Sequence, residues 1–303
     1  VGLITGAVII SLHAGVATWG DELEDRFLLC YQQEHWREAR EISLAVLQGQ
    51  PRAQLWLGYA ASSEFRLGMW LEVFDHLERL HWQGGMRDLT QLGMSWEAAV
   101  HLDLLEEAQR RLEEIQGRFP TSQLAELATA AGVGRTEADS PLSDAQEHLR
   151  HILSDLRAAL AQDSPARSAD VLRMQSYQWL QQGRQGAALS AGLSSLRLQD
   201  SLQRGVDADL RLTLVELALT LDAPATAQVL LSPLPPASQG WRAGLLNVRL
   251  QLRLGHTAAA QVMLRGCLQH SHDLGILASA KMLQDSLPVP ALSADPQGPA
   301  AGR

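Results

Sequence analysis

The chain has 303 residues, of which 46% are hydrophobic and only 5% aromatic, and it carries a formal net charge of −9. That balance argues against general binding to phosphate backbones, which needs clustered Lys and Arg, although a local basic face fits within the average. Leu and Ala dominate the apolar residues and β-branched runs are nearly absent, which predicts an all-α protein.

Residues 1–20 contain no charged side chain. Two readings stay open there. Residues 4–17 fit the second helix of an incomplete first repeat, buried against the next pair. The apolar run 3–12 with Gly15-Val16-Ala17 also fits a signal or membrane anchor, against which stand the missing basic start and the four glycines. A regular pattern begins at Asp21-Glu22, acidic residues suited to a helix N-terminus. Leu23, Phe27 and Cys30 form one helical face, the chain turns at Glu34-His35-Trp36, and Ala39, Ile42, Val46 and Leu47 line the return helix before Pro51. Leu55 to Arg66 and Trp70 to Leu80 form the second pair, broken at Leu67-Gly68. Leu89 to Leu102 and Glu106 to Phe119 form the third, ended by Pro120. Ala39, Val73 and Ala108 therefore recur at steps of 34 and 35, each five residues past a break. Such a period belongs to stacked helical hairpins.

A shorter helix is expected over Thr121 to Ala131. The Gly-, acid- and Ser-Pro-rich stretch 132–143 reads as a linker. Helical pattern resumes at Asp144 with Leu149, Ile152, Leu153, Leu156 and Leu160 on one face. Further hairpins follow: Val171 to Gln182 breaks at Gly183, Leu210 to Thr220 at Asp222, and Trp241 to Leu254 at Gly255, returning through Ala188, Ala227 and Ala260. A last helix over Leu274 to Ser286 caps the series, and the Pro-, Gly- and Ala-rich residues 288–303 are expected to be disordered.

The first three units resemble tetratricopeptide (TPR) repeats. The matching residues are Leu23, Phe27, Trp36, Ala39 and Pro51; then Leu57, Ala60, Ala61, Gly68, Trp70, Leu77 and Leu80; then Leu92, Ala108, Leu112, Ile115 and Pro120. Glu34 and Asp103 stand where the pattern wants a break glycine, Val73 where it wants Ala, and Gly85 where it wants the closing Pro. The resemblance implies a right-handed α-solenoid of six to seven antiparallel hairpins. Its two runs, 21–131 and 144–287, are joined by the 132–143 linker. Ligands of such proteins lie against the first helix of each hairpin, on the concave side. Carried onto this sequence, the binding positions are Tyr31, Ser62, Phe65, Arg66, Glu97, His101, Arg173, Tyr177, Arg249 and Arg253. The Lys/Asn set that clamps a C-terminal carboxylate in chaperone-binding members is missing, which favours an extended or helical peptide.

Catalytic signals are weak. His148 and His151 lie three apart on a helical face without a third ligand at a compelling spacing. His270-Ser271-His272, His76 and His81 read as helix-end histidines. Gly132-Val133-Gly134 follows a helix, not a strand, so the dinucleotide-binding context fails, and neither a phosphate-loop motif nor a nucleophile elbow occurs. Cys30 and Cys267 lie far apart in helical patterns and read as buried thiols. Trp56, Trp82 and Trp96 are candidates for core or interface. Lys281 is the only lysine and Asn247 the only asparagine, the bias of a GC-rich bacterial genome. The expectation is a non-enzymatic, cofactor-free, cytoplasmic scaffold with a protein or peptide partner and no direct nucleic-acid binding. Export or membrane anchoring enters only through residues 1–20. The alternative function is the helical-repeat sensor segment of a larger bacterial transcriptional or signalling regulator.

Overall fold

The computed structural model describes residues 19–85, 88–132, 151, 153–154, 164–234, 240–270 and 274–286. The expectations for residues 1–18, most of the linker, the His148–His151 pair and the tail beyond 288 fall outside them. The described residues form helices and turns, without strands. In order the helices are α1 (Trp19–Gln32), α2 (Trp36–Gly49), α3 (Gln54–Arg66), α4 (Trp70–Trp82), α5 (Leu89–His101), α6 (Leu105–Arg118), α7 (Gln123–Gly132), α8 (Pro165–Gln181), α9 (Gln185–Ser201), α10 (Ala208–Thr220), α11 (Pro224–Leu231), α12 (Trp241–Arg253), α13 (Thr257–His270) and α14 (Leu274–Ser286). Twelve of them pair as six hairpins, so the chain is an all-α helical-repeat protein of tetratricopeptide-like plan. α8 begins six residues before Val171 because Pro165 occupies its first turn, where a missing N–H costs nothing.

One turn builds all six hairpins. Its third residue has positive φ: Glu34 (61°), Gly68 (70°), Asp103 (56°), Gly183 (75°), Asp222 (64°) and Gly255 (79°). The following amide donates back to a carbonyl five residues earlier, as in His35 N to Cys30 O (2.9 Å), Met69 N to Glu64 O (3.0 Å) and Leu104 N to Ala99 O (2.9 Å). The same bond joins Arg184 to Trp179, Ala223 to Ala218 and His256 to Gln251. This closure satisfies a carbonyl that the ending helix would otherwise leave open, and it needs a left-handed residue that Gly, and less readily Asp or Asn, supplies. Five residues on, each second helix crosses the first at a small residue. Ala39, Val73, Ala108, Ala188, Ala227 and Ala260 are all fully buried there.

The chain divides into two compact units, Val1–Leu234 and Pro235–Arg303. In the first, α1 to α7 pack on one another in sequence, α8 pairs with α9, and α10 follows α9 and pairs with α11. Beyond that order, α9 lies on α4 and α6, the second helices of the second and third hairpins. This contact gathers residues on both sides of the expected 132–143 linker into one compact unit. The core of α5, Leu92 to Ala99, is buried on every face. In the second unit α12, α13 and α14 enclose Leu245, Val248, Ala260, Leu264, Cys267 and Ala280.

Candidate functional site

The first three hairpins carry a ribbon of aromatic rings. Phe27 stacks on Tyr59 (4.3 Å between centroids) and lies near Trp56 and Tyr31. Tyr31 meets Trp36 edge-on at 4.6 Å. The Arg66 guanidinium, at the end of α3, lies over the Trp36 indole at 5.3 Å. One repeat on, Phe65 meets Trp70 edge-on at 5.4 Å, and the His101 ring at the end of α5 lies flat on Trp70 at 4.1 Å. Trp36 and Trp70 each open a second helix just past the hairpin turn, so both groups lie on the turn edge of the stack. Tyr31, Trp36, Phe65, Arg66 and Trp70 are half-buried and His101 is exposed. Deeper in, the Tyr59 hydroxyl donates to Glu24 Oε1 at 2.7 Å, and burial followed by that carboxylate raises the phenol pKa above its ordinary value.

The expected binding residues thus divide. Tyr31 and Arg66 meet around Trp36, while Phe65 and His101 meet around Trp70. Glu97 is buried, 4.0 Å from His101 Nε2. Ser62 turns inward, its hydroxyl donating to the Gly58 carbonyl at 2.9 Å. Arg173 and Tyr177 stand one turn apart on α8, with Arg173 3.4 Å from Asp207. Burial first, then Asp207, pushes the Tyr177 phenol up. Arg249 and Arg253 lie one turn apart on α12 in the second unit.

A buried ionic seam joins α9 to α4 and α6, and the sequence reading has no counterpart for it. Asp75 Oδ1 accepts from the backbone amides of Gly186 (2.8 Å) and Ala187 (3.2 Å), capping the N-terminus of α9 from a neighbouring helix. Burial nonetheless raises the Asp75 pKa, outweighing His76, Arg79, the Ala187 amide and Arg184. Glu78 accepts from Ser190 (2.6 Å) and from Arg111, and Trp82 Nε1 also donates to Ser190 (3.2 Å). Glu107 accepts from Ser194, Arg110 and Arg197. Burial pulls the Arg111 guanidinium down, but Glu78 and Glu107 more than offset it, so its pKa ends above the ordinary value. Arg184 to Glu72 (2.7 Å) closes the outer rim. His76 is likewise no helix-end residue: it is buried, with Nδ1 2.7 Å from Glu64 Oε2, while Arg40 Nε donates to the other oxygen at 3.0 Å. Trp56 and Trp96 are core residues.

Among the described residues no group of three or more His, Cys, Asp or Glu could hold a metal ion, and no helix is long and apolar enough to cross a membrane. No protein-family model and no curated protein matches the chain. Among solved structures it is similar to a tetratricopeptide repeat protein from Parabacteroides merdae ATCC 43184, with 14% identity over 86% of this chain and 98% of that one, at a TM-score of 0.33. At that score the likeness adds nothing to the repeat architecture, which rests on the six hairpins themselves.

Proposed function

We propose that the chain is a non-catalytic protein–protein interaction scaffold. A peptide or partner protein is held at the turn edge of the first three hairpins, against Tyr31, Trp36 and Arg66 and against Phe65, Trp70 and His101. The observation that carries this reading is the repetition of one surface arrangement, a cationic or imidazole side chain laid on a half-buried indole, at the same place in successive repeats. Half-buried Trp, Tyr and Arg are the side chains that contribute most when desolvated at interfaces. Arg66 is half-buried over Trp36, a placement in which a ligand can pair with its guanidinium. Arg173 and Tyr177 extend the reading to α8.

The test uses a photo-crosslinking side chain placed at Gln33, beside the edge, to capture the partner in cells. The recovered partner is then titrated against the wild-type chain and against Tyr31, Arg66 and Tyr177 changed together to Ala. Loss of at least about tenfold in affinity, roughly 1.4 kcal/mol, is expected. An unchanged affinity with helical content retained removes the edge assignment.

A further inference from the structure

At the edge of the seam one half-buried carboxylate has an oxygen that its partners do not satisfy. Glu106 and Glu107 open α6 side by side and face α9, whose only cation there is Arg197. Arg197 Nη1 lies 3.3 Å from Glu107 Oε1 but 4.0 Å from Glu106 Oε1. Glu107 also takes Ser194 and Arg110, and Arg111 stands 3.5 Å from it. Glu106 Oε2 is shielded from solvent and has no hydrogen-bond partner. The other helices on α6 bring Glu97 and His101 from α5 and Glu126 from α7, none of which pairs with Glu106, while Glu78 of α4 is taken up by Arg111. Two adjacent carboxylates therefore lie against Arg197 and Arg110; Glu107, fully buried, has the closer contact with Arg197, while Glu106, half-buried, keeps one oxygen shielded from water.

We propose that the α6–α9 contact is a pH-sensitive joint, tight when Glu106 is protonated and loosened when Glu106 ionises beside Glu107. Burial, reinforced by Glu107 and partly opposed by Arg197 and Arg110, moves the Glu106 pKa from 4.5 to about 7. A carboxyl whose pKa is higher in the docked state favours docking in acid. That contribution is full below pH 4.5 and is lost as pH rises through about 7. Protonation removes the charge that the shielded oxygen would otherwise hold with no donor beside it.

Hydrogen exchange of the α9 amides over 194–201, corrected for intrinsic rates, reads the joint in the intact chain. Protection should fall on the order of tenfold between about pH 5.5 and about pH 8.5 in the wild type, and should stay level in Glu106→Gln. Level protection in the wild type overturns the proposal, and so does an equal fall in Glu106→Gln, because another group would then be responsible. A carboxyl-carbon NMR titration of Glu106 in the wild type needs no variant. A midpoint near 7 is expected, and an ordinary midpoint near 4.5 rejects the joint.

Discussion

Arg66 stands over Trp36 as His101 stands on Trp70. In both cases the last residue of a first helix reaches back to the indole that opens the preceding hairpin's second helix. The pair is thus a latch between repeats as well as a surface feature. Arg66→Ala should lower stability by about 0.5–1 kcal/mol, the size of an exposed cation–π contact. Urea unfolding followed by Trp fluorescence measures it, and Arg66→Lys should recover part of the loss.

The hairpin turn predicts opposite outcomes at equivalent positions. Gly68 has φ of 70° with open space around it, so Gly68→Ala meets backbone strain alone and should cost about 1–2 kcal/mol. Asp103 holds φ of 56° in the same role, and Asp103→Gly should be neutral or stabilising by up to about 1 kcal/mol. Thermal melts of the two variants check the sign. A stabilised Gly68→Ala would contradict the shared turn.

Ala108 is fully buried where α6 crosses α5. Ala108→Leu inserts volume into a closed crossing and should destabilise by about 1–3 kcal/mol. The same change at Gln109, half-buried one residue on, should have little effect. Equal tolerance at both sites in denaturant titrations would place the crossing elsewhere.

Docking of α9 rests on a close approach and a buried charge set. A Cβ at Gly186 would meet the Asp75 carbonyl at 2.6 Å and the Arg79 amide at 2.8 Å, both backbone atoms that cannot yield separately. Gly186→Ala should therefore lift α9 from α4 and raise amide exchange across both helices. Arg111→Ala removes the guanidinium bonded to buried Glu78, while Glu107 keeps Arg110 and Arg197, and should cost about 3–5 kcal/mol. Arg111→Met combined with Glu78→Gln should restore much of it, because uncompensated charge and not volume is then the cause.

The repeats were legible because their signals are local. A break and a small or β-branched residue recur in every hairpin, with an aromatic just past the break in the first two, and Glu34, Asp103 and Asp222 take up the glycine conformation where glycine itself is absent. Tyr31, Phe65, Arg66 and His101 are legible as first-helix positions of the repeat, on the concave side, but their meeting around Trp36 and Trp70 at the turn edge is an inter-repeat contact that periodicity does not locate. The seam was not legible. Asp75, Glu78 and Glu107 are spaced as a solvated helix face would be, and their partners, Gly186, Ser190 and Ser194, lie 87 to 112 residues away. His76 was misread for a related cause: its partner Glu64 sits across a helix crossing that periodicity does not locate. Glu97 is buried because α5 is enclosed on all faces, whereas an isolated hairpin would leave that side open.

A simple repeat array folds by nearest neighbours and can be shortened from either end one unit at a time. The placement of α9 on α4 and α6 removes that freedom here. The Asp75–Gly186 contact joins residues 111 apart in sequence, which raises the contact order and slows folding relative to a plain stack. A chain ended after α7 would present Asp75, Glu78 and Glu107 to water with a surface shaped for a missing helix. The first three hairpins and the α8–α9 pair therefore stand as one cooperative folding unit, to be kept or lost together.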